Sequence, residues 1–174
     1  MKNPCTDFLS DIEYLEHMIP HHQMAVDMTN ILETNDPNMY LLARNIKWTQ
    51  VNEIDYMKLL LQQKLPNTMS AKNFHRNRVI YSFEYYYPNQ SEDKNVKCEI
   101  NKFFSNHHNM KYMKKTICEK EYLEHMIPHH QVAVDMSIRV LKHTNNQTII
   151  KLANDIIINQ KYEIWYMKNL LINK

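Results

Sequence analysis

Apolar and polar residues recur along this chain with a helical period. At about 100° per residue, Tyr14, His17, Met18, His21, Ala25, Met28 and Leu32 fall within about 60° of His21, while Glu16, Gln23, Asp27 and Asn30 fall opposite. A second stripe, Ala43, Ile46, Gln50, Ile54, Met57 and Leu61 with Glu53 at its margin, predicts a helix over about residues 38–64. Asn35, Asp36 and Pro37 supply the break between them. The pattern then repeats: Tyr122 to Met136 copies Tyr14 to Met28 with one change, Val132 for Met24. Ala43, Ile46, Gln50, Glu53, Ile54, Tyr56, Met57, Leu60 and Leu61 return, two residues further along, as Ala153, Ile156, Gln160, Glu163, Ile164, Tyr166, Met167, Leu170 and Leu171. An internal duplication of this kind predicts two copies of one supersecondary unit. The expected fold is all-α: two antiparallel helical hairpins, residues 10–64 and 116–174, sharing one core as a four-helix bundle about a pseudo-twofold axis.

Ser10 to Glu13 and Thr116 to Glu119 both fit the capping box, so each is expected to open a helix. Pro20 and Pro128 lie well inside the first helix of each unit, where a proline deletes one backbone bond and costs about 3 kcal/mol. Either a kink or a helix restarting at the proline is expected. Residues 65–115 form a long crossover connection. They hold Pro66, the aromatic run Tyr81 to Tyr87, Pro88, and the pattern of a short helix near residues 96–106, followed by His107, His108, Met110 and Met113.

With 174 residues the chain can bury a sizeable core without a covalent staple. Its formal charge of +2 is small and its lysines are dispersed, which argues against nucleic acid or an anionic membrane as partner. Glycine is absent, which excludes phosphate-cradling glycine loops. Cys5, Cys98 and Cys118 form no CxxC pair and indicate neither a disulfide scaffold nor a thiolate cage. The opening residues hold no apolar stretch of signal-peptide length, and nothing reaches the roughly 18 apolar residues of a membrane span. An intracellular, cytoplasmic protein is the expectation.

Imidazoles and thioethers share one helix face in each unit. His17, Met18, His21 and Met28, then His125, Met126, His129 and Met136, follow spacings that make side chains neighbours. Met57 and Met167 lie at the centre of the partner stripes, and Gln50, Glu53, Gln160 and Glu163 bring polar groups to the same region. His22 and His130 fall toward the helix flank, where they could face solvent, the kink or a second metal. Tyr14 and Tyr122 are expected in the core, and Glu16 and Asp27 on a solvated face.

Thioether with imidazole selects copper(I), or silver(I) as its mimic, ahead of zinc and far ahead of magnesium, calcium or manganese. The HMIPH segment lacks the glutamate of HExxH, and Glu53 and Glu163 are followed three residues later by tyrosine rather than histidine. No catalytic constellation is present. A methionine on a helical stripe is ordinarily core filler, and a histidine there is ordinarily a satisfied core residue. Several buried imidazoles, each costing about 1–3 kcal/mol if unpaired, point to a shared partner. From the residues alone, a metal and a hydrogen-bond network explain them equally.

Leu15, Met18-Ile19-Pro20-His21-His22-Gln23, Ala25 and Asp27-Met28, followed by Ala43, Ile46, Gln50, Glu53-Ile54 and Met57, resemble the domain-of-unknown-function family 305. The likeness covers about residues 11–61 and 119–171. It implies a ferritin-like helical fold. Some bacterial members of that family, mostly exported, bind copper or silver through methionine and histidine. The resemblance thus implies a metal ion as partner, with Met18, His21, His22, Met28 and Met57 as ligands in the first unit, to which the helix-face spacing adds His17. Their counterparts in the second are His125, Met126, His129, His130, Met136 and Met167. This chain departs from those members in lacking an export signal, and Val132 makes its two halves chemically unequal. The expected function is non-enzymatic copper(I) sequestration or transfer. The alternative is a structural or interaction module with a buried His/Gln/Glu network, and a homo-oligomer or an unidentified protein partner stays open. A metal-dependent enzyme using Glu53 or Glu163 has the least support.

Overall fold

The structure, a computed structural model, describes residues 8–63 and 116–172. The crossover, with its aromatic run and short-helix pattern, lies outside the described residues, as do Cys5 and Cys98. The described residues form an all-α four-helix bundle: α1 (Asp11–Asn30), α2 (Pro37–Gln62), α3 (Glu119–Leu141) and α4 (Gln147–Ile172). Each helix packs chiefly on its sequence neighbour, α1 on α2 and α3 on α4. Next α1 meets α3, and the α2–α4 contact is the slightest of these four.

Local chemistry sets the helix starts. Ser10 caps α1 through the expected box, its hydroxyl accepting from the Glu13 N–H while Glu13 accepts from the Ser10 N–H. Asp36 caps α2 by accepting from the Asn38 N–H at 2.8 Å, with Pro37 in the first turn, where its missing donor is harmless. Asn146 accepts from the Thr148 N–H at 3.0 Å at the start of α4.

The second expected box does not form. Ile117 is held in an extended bridge, donating to the Ile31 carbonyl at 2.9 Å and accepting from the Glu33 N–H at 3.0 Å. The helix can therefore start only at Glu119, with Cys118 as a cap that makes no side-chain hydrogen bond. Glu119 instead accepts from the Thr34 hydroxyl. The same bridge ends α1 at Asn30, so Leu32 leaves the helical face on which the periodicity placed it. Both prolines are accommodated inside continuous helices, which excludes a restart at Pro20 or Pro128.

The two-residue offset between the stripes has a local cause. Counted from the equivalent of Asn30, α3 runs three residues longer than α1, and its turn, residues 142–146, is one residue shorter than residues 31–36. The helices α1 and α3 run antiparallel, and one contact is made twice across them. The Tyr14 hydroxyl meets Ser137 Oγ at 2.8 Å, and the Tyr122 hydroxyl meets Thr29 Oγ1 at 3.0 Å. Tyr14 and Tyr122 are 108 residues apart, as are Thr29 and Ser137, so the two contacts define a pseudo-twofold relation perpendicular to the helices. Tyr14 and Tyr122 are fully buried, and burial pushes both phenols well above their usual range, keeping them protonated.

Replacing either tyrosine by phenylalanine removes one buried hydrogen bond and strands its hydroxyl partner. Urea unfolding should show a loss of about 1–2 kcal/mol for Tyr14→Phe, with Tyr122→Phe milder because Thr29 also bonds the Ala25 carbonyl. Unchanged stability for Tyr14→Phe would deny the contact.

Candidate metal centre

At the middle of the α1–α3 contact, the rings of His21 and His129 stack with centroids 3.7 Å apart and planes 24° from parallel. Both side chains are essentially without solvent exposure. His129 Nε2 lies 2.9 Å from the His21 carbonyl oxygen. A carbonyl can only accept, so Nε2 carries the proton. Burial, and then the neighbouring imidazoles, hold both rings well below the usual histidine pKa and therefore neutral.

Of the three surroundings that the helix flank left open for His22 and His130, solvent is excluded. Both are wholly buried, and each binds the carboxylate that the adjoining helix presents: His22 Nε2 to Glu53 Oε2 and His130 Nε2 to Glu163 Oε2, both at 2.8 Å. The periodicity put them at the flank, but α1 and α3 each face two neighbours, so the buried arc is wider than one stripe. A correction applies to His17 and His125. His17 is half-buried and His125 exposed, because the arc turns toward His22 and away from them. Glu16 and Glu124 are exposed as expected.

Gln50 and Gln160 are buried, and neither amide nitrogen nor amide oxygen of either finds a hydrogen-bond partner among the described residues. The same holds for Nδ1 of His22 and of His130. Six orphaned polar atoms at about 1–3 kcal/mol each would consume most of an ordinary domain's stability. A core of this kind calls for a polar or metallic guest.

The thioethers lie to either side of this polar centre. Met18, Met57 and Met136 share one buried cluster with Tyr14, Leu15 and Leu152, and Met28, Met126 and Met167 share the other. Each set draws on three helices: α1, α2 and α3 for the first, α3, α4 and α1 for the second. All six side chains are buried. Sequence reasoning grouped the methionines by repeat, whereas the fold exchanges Met28 and Met136 between the halves. It also missed Met39, fully buried in the second cluster, although its place one turn before Ala43 on the α2 stripe was a signal. Half-buried Met24 packs against that same cluster, and its counterpart Val132 lies in the first.

Among the described residues, no group of three or more His, Cys, Asp or Glu could hold a metal ion. The imidazoles and carboxylates are engaged with one another, which disfavours a zinc cage. The thioethers are different: clustered, desolvated and soft, they fit a monovalent soft ion.

The fold and site thus define a class of helical bundle with buried, clustered thioethers flanking a histidine centre. The chain belongs to the family described as Domain of unknown function (DUF305), whose profile matches residues 11–171. An uncharacterized protein of Acanthamoeba polyphaga mimivirus is 46% identical over 63 residues, 34% of this chain and 41% of that protein, so the match spans under half of the relative's length. Among solved structures, CopM in a silver-bound form is 27% identical with a TM-score of 0.64, covering 96% of this chain and 98% of CopM. CopM in the Cu(I)-bound form is 28% identical with a TM-score of 0.63, covering 95% and 97%. A DUF305 fragment from Deinococcus radiodurans, 20% identical with a TM-score of 0.60 over 94% and 96%, shares the fold. No described helix is long and apolar enough to cross a membrane.

The neutral pair at the centre makes stability of the metal-free protein depend on pH. Folding lowers the pKa of His21 and His129, so the unfolded chain binds protons first as pH falls. Stability should be full above the unfolded value of about 6.5 and decline below it, by up to about 1.4 kcal/mol per pH unit for each histidine. Urea unfolding between about pH 7.5 and about pH 5.5 measures this, and stability that holds or rises on acidification would contradict the buried neutral pair.

Proposed function

We propose that this bundle binds copper(I), or silver(I) as its mimic, and sequesters or passes on the ion without catalysing a reaction. The observation that carries this reading is the division of six buried methionines between two core clusters, Met18, Met57 and Met136 in one and Met28, Met126 and Met167 in the other, each triad drawn from three helices. Thioethers are poor ligands for hard cations and good ones for monovalent copper and silver. Support also comes from the likeness to CopM over nearly the whole of both chains, since CopM has been solved with silver, Cu(I) and Cu(II) bound. His21 and His129, held neutral by burial, and His22 and His130 bring four further nitrogen-bearing side chains to the buried centre. Glu53 and Glu163 orient two of them through the bonds at 2.8 Å. Half-buried His17 and exposed His125 play no part in this reading.

A second reading has an observation of its own. The His22–Glu53 and His130–Glu163 bonds and the His21–His129 stack already form a buried network. In a structural or interaction module that network would fix the helix register, with the methionines as filler. Such a module would carry no copper after growth in copper-supplemented medium, and chelators would leave its stability unchanged.

Anaerobic copper(I) titration against a competing chelator tests the leading reading. It predicts two tight equivalents per chain, one for each triad. Replacing Met18, Met57 and Met136 by leucine, a near volume-conserving change costing less than about 1.5 kcal/mol per site, should remove one equivalent. Joint replacement of His17 and His125 by alanine should remove none. Undiminished binding with all six triad methionines changed to leucine would end the proposal.

A further inference from the structure

The thioethers and the central imidazoles have almost no contact with solvent, and the helix contacts that cover them are unequal among the described residues. Three of the four helix contacts are closed. The hairpins α1–α2 and α3–α4 pack along their length, and α1 and α3 are tied by the histidine stack and the two tyrosine hydroxyl bonds. The α2–α4 contact is the slightest of these four, and between the two helices opens a groove of about 450 Å³. Trp48 and Tyr56 stand at its rim, 73% and 41% exposed, with Asp155 opposite on α4.

The floor of the groove meets the polar centre and the first thioether cluster together. Glu53 lines it, with its side chain 13% exposed, and its carboxylate holds the wholly buried His22. Leu152 lines it as well, and the other side of Leu152 belongs to the cluster of Met18, Met57 and Met136. Carboxylate and imidazole thus form a step of oxygen and nitrogen groups between the groove and the buried interior. A cation shedding its water needs such temporary ligands in place of a purely apolar wall.

We propose that the α2–α4 groove is the access route for the ion, with the Glu53–His22 pair as its inner gate. This rests on the copper(I) reading above. The ion is drawn to Glu53 at the floor of the groove, is handed past His22, and settles on the triad behind Leu152. A small separation of α2 from α4, whose contact is the slightest of the four, is the motion that admits it.

Thr49 and Asn159 line opposite walls of the groove and occupy equivalent positions on α2 and α4. In a background with Cys5, Cys98 and Cys118 changed to serine, Thr49→Cys and Asn159→Cys can be joined by a short thiol-specific bifunctional reagent. The control is the same variant capped with a monofunctional reagent, so that neither form offers a free thiol to copper. Copper(I) delivered from a chelator should load the bridged protein more slowly than the control by on the order of ten-fold or more, to the same final stoichiometry. Asn52→Trp, which fills the groove without a cross-link, should slow loading in the same direction. Equal loading rates in bridged and capped protein would overturn the route while leaving the copper reading intact. Failure of both forms and of the unaltered protein to bind copper would overturn the copper reading, and the route with it.

Discussion

The stack of His21 on His129 is the constraint on which the rest of the bundle depends. Two imidazoles at 3.7 Å with no solvent are tolerable only if both are neutral, because two like charges at that separation would repel strongly in a low-dielectric interior. Neutrality in turn lets the rings pack flat against each other at the place where α1 crosses α3. The carbonyl of His21 accepts from His129 and fixes that ring. Once this contact is set, the antiparallel course of α1 and α3 and the paired tyrosine bonds follow from the duplication in the sequence.

From that centre the chemistry is layered. The next shell outward along α2 and α4 is the pair of His–Glu bonds, and the methionine clusters lie on either side. Because α1 and α3 carry the axis, each methionine cluster must take one residue from the opposite hairpin, which makes the two hairpins interdependent. The second cluster is richer, holding Met39 with half-buried Met24 against it, where the first has Ile149 and Val132 in the equivalent places. The two halves are therefore alike in frame and unequal in softness.

Much of the fold was legible in the sequence because a fifteen-residue repeat and two helical periods leave few arrangements open. The caps at Ser10 and Asp36 were readable from their residue types. What was not readable is what depends on partners distant in the chain. Ile117 is diverted into a bridge with Leu32, which cancels the apparent box at Thr116. The 108-residue offset, applied to Ser10, would have pointed to Cys118 as the cap. His22 and His17 exchange roles because a helix with two neighbours buries an arc wider than a single stripe. The exchange of Met28 and Met136 between clusters could not be seen in either repeat alone, since it is set by how the hairpins meet.

The central claim is that buried sulfur holds the ion, and X-ray absorption spectroscopy at the copper edge of protein loaded anaerobically with copper(I) tests it most directly. A first coordination shell dominated by sulfur, about three per copper, is the expected result. A shell built only of nitrogen and oxygen would contradict it.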